Sequence, residues 1–141
     1  MSGWSCYVDR LMCDGICQDV AIVGYKDTPC VLGRHPGQDA VQHHEPAEVN
    51  TLISKDRSGI FINGVTLGGM KCSVIRDNLF IEGEYTMDLR TKTTGETPTY
   101  NIAVCMTNKA IVLAMGKEGI HGGCVNKKCF DMAQHLRNLQ Y

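Results

Sequence analysis

The sequence predicts an α+β fold in which one antiparallel sheet carries the two terminal helices on a face. Apolar residues recur at helical spacing at both ends of the chain. From residue 59 onward the chain instead consists of short β-rich runs with turn signals, such as Asp77-Asn78 and Thr107-Asn108, between them. These runs follow one another too closely for parallel pairing, which needs long crossovers, so we expect antiparallel neighbours.

The N-terminal third is predicted to hold two helices and at least one strand. A first helix is expected between Ser2, which can cap it, and Gly15, which can end it. QDVAIVGY at residues 18–25 is compact and β-branched, which is typical of a buried strand, and residues 26–45 are predicted to be mostly loop with one short strand. EPAEVNTLISK places Pro46 at the first position of a short second helix.

Six runs after residue 58 are predicted to be the remaining strands. They are GIFING, VTLGG, KCSVIRD, LFIEGEYTMDLRT, TYNIAVCMT and KAIVLAMG. A last helix is expected over residues 122–139. At 100° per residue its apolar arc, the face expected on the sheet, contains Val125, Cys129, Met132, Ala133, Leu136 and Leu139.

Phe130 falls outside this arc, among Asn126, Lys127, Gln134 and Arg137, and is expected to face solvent. Two interpretations stay open. A single exposed apolar residue is ordinary, but an aromatic ring with a polar and basic rim is also typical of the centre of a protein interface.

Composition restricts the possible functions. At 141 residues the chain is expected to form one domain, residues 1–141, with a core that needs no cofactor. The net charge of -1 argues against a general nucleic-acid binder, although residues 1–58 carry -3 and residues 59–141 carry +2. The start of the chain shows no targeting segment and the longest apolar run is too short to cross a bilayer, so we expect a cytosolic protein that is not an integral membrane protein. The eight cysteines are expected to be reduced and to act as small buried hydrophobic residues.

The stretch MGKEGIHGGCVNKKC, residues 115–129, contains residue types that are common in catalytic and metal sites. Two cysteines at C-x4-C with one histidine offer too few ligands for zinc, and no metal site is predicted. A catalytic pair of His121 with Cys124 or Cys129 is disfavoured because Cys129 lies on the buried arc. The phosphate-loop pattern is not met either. The glycines favour a tight strand-to-helix turn that presents Ile120 and His121 outward as a contact surface.

Several long motifs resemble vertebrate profilins along almost the whole chain. They are CQDVAIVGYKD, NGVTLGGMKCSVIRD, TMDLRTKTTGETPTYN and MGKEGIHGGCVNKKC, followed by HLRNLQY. The resemblance implies a central antiparallel sheet with the terminal helices on one face and shorter helices on the other. It also implies a cytoplasmic, cytoskeleton-associated protein, without enzymatic activity or a cofactor, that binds monomeric actin, promotes nucleotide exchange on it and regulates filament assembly.

The resemblance further implies an actin-binding surface. Its residues, carried over position by position, are Ile62, Lys71, Ser73, Arg76, Glu84, Lys92, Thr99, Asn101, Ile120, His121, Gly123, Asn126, Lys127, Phe130 and Asp131. The family often has tyrosine at Phe130 and glutamate at Asp131. Neither difference is expected to abolish a large interface, since a few central residues supply most of the binding energy.

A second implied site binds proline-rich segments, such as those of formins. Its residues are Trp4, Tyr7, Leu32, His135, Leu136 and Tyr141. Profilins of this type usually have tryptophan where this chain has Leu32. Leucine cannot stack or donate through an indole nitrogen, so we expect binding of proline-rich ligands to be weaker by about 1 to 3 kcal/mol.

The third implied ligand is phosphatidylinositol 4,5-bisphosphate, bound through Lys71, Arg76, Arg90, Lys127 and Arg137. Clusters of Lys and Arg attract phosphate groups, although the sequence alone indicates no pocket. The alternative function is that of a phosphoinositide or proline-rich-peptide adaptor on the same scaffold that has lost actin binding.

Overall fold

The computed structural model describes residues 5–25, 30–34, 46–67, 70–92, 95 and 98–141, and for residues 5, 30–34, 46 and 47 it describes the backbone only. The helices are α1 (Ser5–Met12), α2 (Pro46–Ile53), α3 (Ile60–Asn63) and α4 (Gly122–Asn138). The strands are β1 (Cys17–Gly24), β2 (Cys30–Arg34), β3 (Val65–Leu67), β4 (Met70–Asn78), β5 (Thr86–Thr91), β6 (Asn101–Met106) and β7 (Ala110–Gly116).

The strands form one antiparallel sheet in the order β2-β1-β7-β6-β5-β4-β3. Strands β3 to β7 are neighbours in sequence order, as short hairpin connections require. The pairing of β1 with β7 places the N-terminal strand between β2 and β7, second from one edge of the sheet, and Ile22 lies opposite Val112. The predicted α+β class and antiparallel sheet are confirmed.

Each face of the sheet carries its own apolar core. On one face, Val49 and Leu52 of α2 and Ile60 of α3 pack against inward residues such as Met87 and Leu113. On the opposite face, α1 and α4 cover β1, β6 and β7 with a second set of buried side chains. They are Val8, Leu11, Val125, Cys129, Met132, Ala133 and Leu136. The terminal helices therefore share one face and the short helices the other, as expected.

The GIFING segment was predicted to be a strand, and this prediction is wrong. Residues Ile60–Asn63 form the single-turn helix α3, with Gly64 in the positive-φ region at its end (φ 71°). A four-residue apolar run has too few positions to distinguish a strand from a buried helical turn by periodicity. Similarly, in LFIEGEYTMDLRT only Thr86–Thr91 forms a strand.

The buried arc of the last helix is confirmed for five of its six residues, and the prediction is wrong for Leu139. The helix ends at Asn138, and Leu139 follows it as the C-cap with 54% of its surface exposed. The helical spacing extends one residue past the helix, so it assigns Leu139 to a face that no longer exists there.

The cysteine prediction holds for only part of the set. Of the seven cysteines whose side chains are described, four are buried: Cys17, Cys72, Cys105 and Cys129, while the side chain of Cys30 lies outside the described part. Cys6, Cys13 and Cys124 are exposed, which contradicts the prediction for them because they lie on the outward faces of α1 and α4 or just after α1. Burial raises the pKa of Cys17 to about 11 and that of Cys72 to about 12. In the described parts of the chain, no helix is long and apolar enough to cross a membrane.

Candidate functional site

The face that carries α1 and α4 is only half covered. Helix α4 packs on β6 and β7, and α1 packs on β1. Beyond β6, the outward side chains of β4 and β5 on this face reach solvent. Arg90 of β5 lies opposite Ser73 of β4, and Lys71 and Lys92 follow at the adjacent pair of positions. The uncovered half is therefore a basic surface. We refer to the exposed β4–β5 part of this face, with the β7–α4 turn and the first half of α4, as the open face.

A β-bulge in β4 decides where Arg76 points. The pairing shifts between Val74, which faces Leu89, and Arg76, which faces Asp88. Ile75 is the extra residue and is 59% exposed. In a regular strand Arg76 would share the core face with Val74, because side chains alternate. The bulge reverses this alternation, so Arg76 lies on the open face and its Nε donates to Asp88 Oδ2 at 3.2 Å.

The turn between β7 and α4 is held at both ends. His121 is the N-cap of α4, and its Nδ1 accepts a hydrogen bond from the Gly123 backbone N–H at 3.0 Å. Asn101 of β6 donates through Nδ2 to the Ile120 carbonyl at 2.9 Å. At the end of β7, a Cβ on Gly116 would lie 2.6 Å from Val125 Cγ2, so only glycine allows this close approach of strand and helix. The predicted strand-to-helix turn is confirmed, with His121 exposed and Ile120 half-buried.

One hydrogen bond connects α4 to β5 on the open face, and one ion pair lies within α4 itself. Asn126 donates through Nδ2 to Asp88 Oδ1 at 2.8 Å, and Lys127 pairs with Asp131 one turn later at 3.0 Å. A shallow cavity of about 550 Å³ lies between the strands and the turn. Its lining residues are Ile75, Arg76, Asp88, Leu89, Arg90, Asn101, Ile102, His121, Gly122 and Gly123.

The fifteen residues of the implied actin set are all at least partly exposed. Most of them lie on β4, β6, the β7–α4 turn and α4, while Ile62 lies on α3 and is 84% exposed. Phe130 was expected to face solvent, yet it is half-buried and packs against the core under α4. The sequence did not indicate Asp88, which contacts both Arg76 and Asn126, because a lone aspartate in a strand resembles any solvated residue.

The implied proline-binding residues are only partly described. Tyr7 of α1 and His135 of α4 lie with ring centroids 5.7 Å apart at an interplanar angle of 57°. Leu136 of α4 is buried in the core. Lys109 Nζ lies 5.3 Å from the centre of the Tyr141 ring. Trp4 lies outside the described residues, and Leu32 lies in β2, where only the backbone is described.

The five residues of the implied phosphoinositide set differ in how far they are engaged. Lys71 and Arg90 are exposed, and no acidic partner contacts them within the described residues. Arg76 and Lys127 are each paired with an aspartate. Arg137 is committed to the fold: its Nη2 and Nε donate to the Met106 carbonyl at 2.7 and 3.1 Å, and its guanidinium lies 3.8 Å from the centre of the Tyr85 ring.

A second cavity, of about 450 Å³, lies between α1 and α4. No pattern of residues along the chain predicts this cavity. Lys128 donates to Asp14 across its rim, and this hydrogen bond lowers the pKa of the Asp14 carboxyl. Cys124 also lines this cavity, while Cys129 is buried and its Sγ lies 3.0 Å from the Val112 carbonyl oxygen. Among the described residues, no group of three or more His, Cys, Asp or Glu side chains could hold a metal ion.

Comparisons with known proteins agree with this architecture. A sequence model of the family described as Profilin matches residues 2–141. Profilin-1 of Bos taurus is 62% identical over 141 residues, which cover 100% of both chains. Mouse profilin IIa, solved in complex with a double repeat from the FH1 domain of mDia1, has a TM-score of 0.95 and 51% identity, over 99% of this chain and 100% of that one.

A more distant structure shares the fold. LokiProfilin1, solved in a complex with rabbit actin, has a TM-score of 0.67 and 14% identity, and the match covers 93% of this chain and 90% of that one. At this identity the likeness concerns the fold alone.

Proposed function

This chain belongs to the profilin family, and on that premise we propose that it binds monomeric actin, promotes nucleotide exchange on the bound actin and regulates filament assembly. The observation that carries the proposal is the open face. Residues of the implied actin set that are far apart in sequence, such as Arg76, Asn101 and His121, line one shallow cavity there. Basic side chains around it can steer an acidic protein surface, while Ile75 and the half-buried Phe130 ring supply apolar contact.

A charge reversal at Lys127 tests the actin proposal. The Lys127 side chain is 77% exposed and, within the described residues, forms an ion pair only with Asp131 on its own helix, so Lys127→Glu should leave the fold intact. We expect the Kd for monomeric actin to rise at least about tenfold, since like charges would face each other across the interface. His121→Glu should also weaken binding, but His121 caps α4, so its variant must be checked for helix stability first.

Lys55→Glu is the matched control, because Lys55 is an exposed lysine beyond α2 and outside the implied actin set. It makes the same charge change and should bind actin as the unmodified protein does. Unchanged affinity in Lys127→Glu, measured by titration of fluorescently labelled actin monomers, would refute the assignment of this surface. No binding by the unmodified protein would favour the alternative of an adaptor that has lost actin binding.

We propose as a second function that the end of the molecule near Tyr7 and His135 binds proline-rich segments, as the FH1 repeats bound to mouse profilin IIa suggest. Polyproline presents a preformed helix to flat aromatic rings. Leu136 is buried in the core under α1 and α4, and Tyr7 packs against this core. With Leu32 in place of tryptophan, we expect the affinity for such segments of formins and related proteins to be reduced.

Titration with a proline decamer tests this second function. The emission of Trp4, the single tryptophan of the sequence, should change saturably if the groove is functional. In the matched variant Leu32→Trp, followed by calorimetry because it adds a second tryptophan, we expect binding about tenfold tighter. Equal affinities for the two proteins would contradict the role assigned to Leu32. A flat response of the unmodified protein up to millimolar peptide would indicate a profilin that handles actin without this recruitment.

We propose weak binding of phosphatidylinositol 4,5-bisphosphate through the cationic side chains of the open face. Lys71 and Lys92 lie at adjacent cross-strand positions with Arg90 beside them, an arrangement in which like charges repel unless an anion is present. Phosphate groups can satisfy these donors. Since actin would use the same residues, the two ligands should compete. Vesicles that contain this lipid should displace actin, and simultaneous binding would contradict the shared surface.

The remaining proposals follow from these partners. We propose a cytoplasmic, cytoskeleton-associated protein of one domain, residues 1–141, that acts by binding and not as an enzyme. Fluorescence microscopy of the tagged chain should show colocalisation with actin-rich regions, which Lys127→Glu should reduce.

A further inference from the structure

We propose that Asp88 is a positioning residue of the actin-binding surface: it holds Arg76 and Asn126 in the orientations needed for contact. This inference rests on the proposed actin function and adds a residue that the implied actin set does not contain. Asp88 lies near the middle of β5, with 19% of its side chain exposed, at the floor of the cavity on the open face.

Each carboxylate oxygen of Asp88 serves a different element. Oδ2 accepts from Arg76 Nε of β4 at 3.2 Å, and Oδ1 accepts from Asn126 Nδ2 of α4 at 2.8 Å. Asp88 thus connects two side chains that are 50 positions apart in sequence and that both belong to the implied actin set. Without this carboxylate, neither side chain has another hydrogen-bond partner within the described residues.

Stability alone explains this arrangement poorly. The Arg76 side chain is 58% exposed, and ion pairs at such exposure contribute little to the free energy of folding. Ordering the side chains of Arg76 and Asn126 before a partner arrives has a clearer benefit for binding, because it removes part of the entropic cost of association. The two hydrogen bonds that Asp88 accepts therefore favour a role in binding.

The negative charge of Asp88 should oppose the binding of an acidic partner. Asp88 is the one acidic residue among those lining the cavity, beside Arg76, Arg90 and His121. If an acidic partner binds here, a negative charge at this position slows association. Its benefit must then come from positioning, which makes the two roles experimentally separable.

The test combines Asp88→Asn, Asp88→Glu and the control Asp9→Asn, which removes a carboxylate from an exposed position of α1. Binding of labelled monomeric actin is followed by stopped flow at two salt concentrations. For Asp88→Asn we expect a Kd raised about tenfold, entirely through faster dissociation, with association unchanged or faster. Asp88→Glu keeps the charge but moves the carboxylate, so it should also weaken binding, and Asp9→Asn should not.

The energetic coupling between substitutions at Asp88 and at its two partners tests whether Asp88 acts by positioning them. In the double variants with Arg76→Ala or Asn126→Ala, the loss caused by Asp88→Asn should shrink, since the side chain it orients is gone. Additive losses would overturn the proposal, as would an affinity that is unchanged or higher in Asp88→Asn. If Asp88→Asn fails to fold, Asp88→Glu decides alone: wild-type affinity in that variant overturns the proposal. If the unmodified protein does not bind actin, the proposed function itself fails, which is a separate result.

Discussion

The part of the sheet face covered by α1 and α4 and the open face differ in polarity although they belong to the same sheet. Under α1 and α4, the outward residues of β1, β6 and β7 are apolar and buried, as Ile22, Ala103 and Val112 show. On the open face, the equivalent positions of β4 and β5 hold Ser73 and Arg90. At these positions polarity follows helix coverage, because burial under a helix removes apolar side chains from water, and Ile75 at the bulge of β4, 59% exposed, is an exception.

This contrast bears on the origin of the proposed actin surface. It is the part of the sheet that α4 leaves uncovered, and the helix supplies its border through His121, Asn126 and Lys127. Substitutions in the covered half should therefore lower the free energy of unfolding, and substitutions on the open face should weaken binding.

The same carboxylate placed on each half should have very different effects on stability. Val112 is fully buried beneath α4, so Val112→Asp would place an unpaired charge in the core and should lower the free energy of unfolding by about 4 kcal/mol or more. Ser73 is half-exposed and lies opposite Arg90, so Ser73→Asp should change it by less than about 0.5 kcal/mol. Urea denaturation measures both.

The matched control for this pair is Val112→Ala, which keeps the site apolar and should cost less than the aspartate. A Ser73→Asp variant as unstable as Val112→Asp would show that the open face is a structural surface, and the division would fail.

Two arginines of the implied phosphoinositide set should also divide between stability and binding. Arg137→Gln removes the hydrogen bonds to the Met106 carbonyl and the stacking on Tyr85, and should cost about 2 kcal/mol of stability. Arg90→Gln should cost less than about 0.5 kcal/mol, because the Arg90 side chain is exposed. Vesicle cosedimentation should show weaker lipid binding for Arg90→Gln only. Weaker lipid binding in a folded Arg137→Gln variant would instead return Arg137 to the headgroup site.

Thiols provide the smallest effect. At neutral pH, iodoacetamide should label Cys6, Cys13 and Cys124 rapidly, because they are exposed, and should label Cys17 and Cys72 only through unfolding. Burial raises the folded-state pKa of these last two thiols to about 11 and about 12. A raised pKa gives stability that is present below the unfolded-state pKa and lost as the pH rises towards the folded value.

The pH dependence that follows is modest near neutrality. Between pH 7.5 and pH 9 we expect the free energy of unfolding to fall by about 0.5 kcal/mol for each of the two thiols. Cys72→Ala should remove the part of this pH dependence that Cys72 contributes, when the free energy of unfolding of the variant is compared with its own value at pH 7.5. Cys124→Ala should leave the pH dependence unchanged. Mass spectrometry of labelled peptides locates the reactive thiols. Rapid labelling of Cys72 in the folded protein would contradict its burial.

Much of the fold could be predicted from local patterns. The strand Cys17–Gly24, predicted at residues 18–25, the helix that begins at Pro46 and five of the six residues of the buried arc of α4 follow from periodicity and capping alone. The failures have local causes too. GIFING is too short for its period to be identified, and Leu139 continues the spacing of a helix that has already ended. The half-burial of Phe130 depends on how α4 lies on the sheet, which helical spacing does not specify.

The candidate site divides in a similar way. The class of fold, the family resemblance and the turn that exposes His121 can be predicted from residue types and their spacing along the chain. Three features depend instead on how the chain folds: Arg76 reaches the open face, Asp88 joins it to Asn126, and Arg137 contacts Met106 and Tyr85. The physical reason is that a bulge reverses which face each later residue of a strand occupies. Which side chains then meet depends on the pairing of strands and the seat of a helix, and these are set by contacts between residues far apart in sequence.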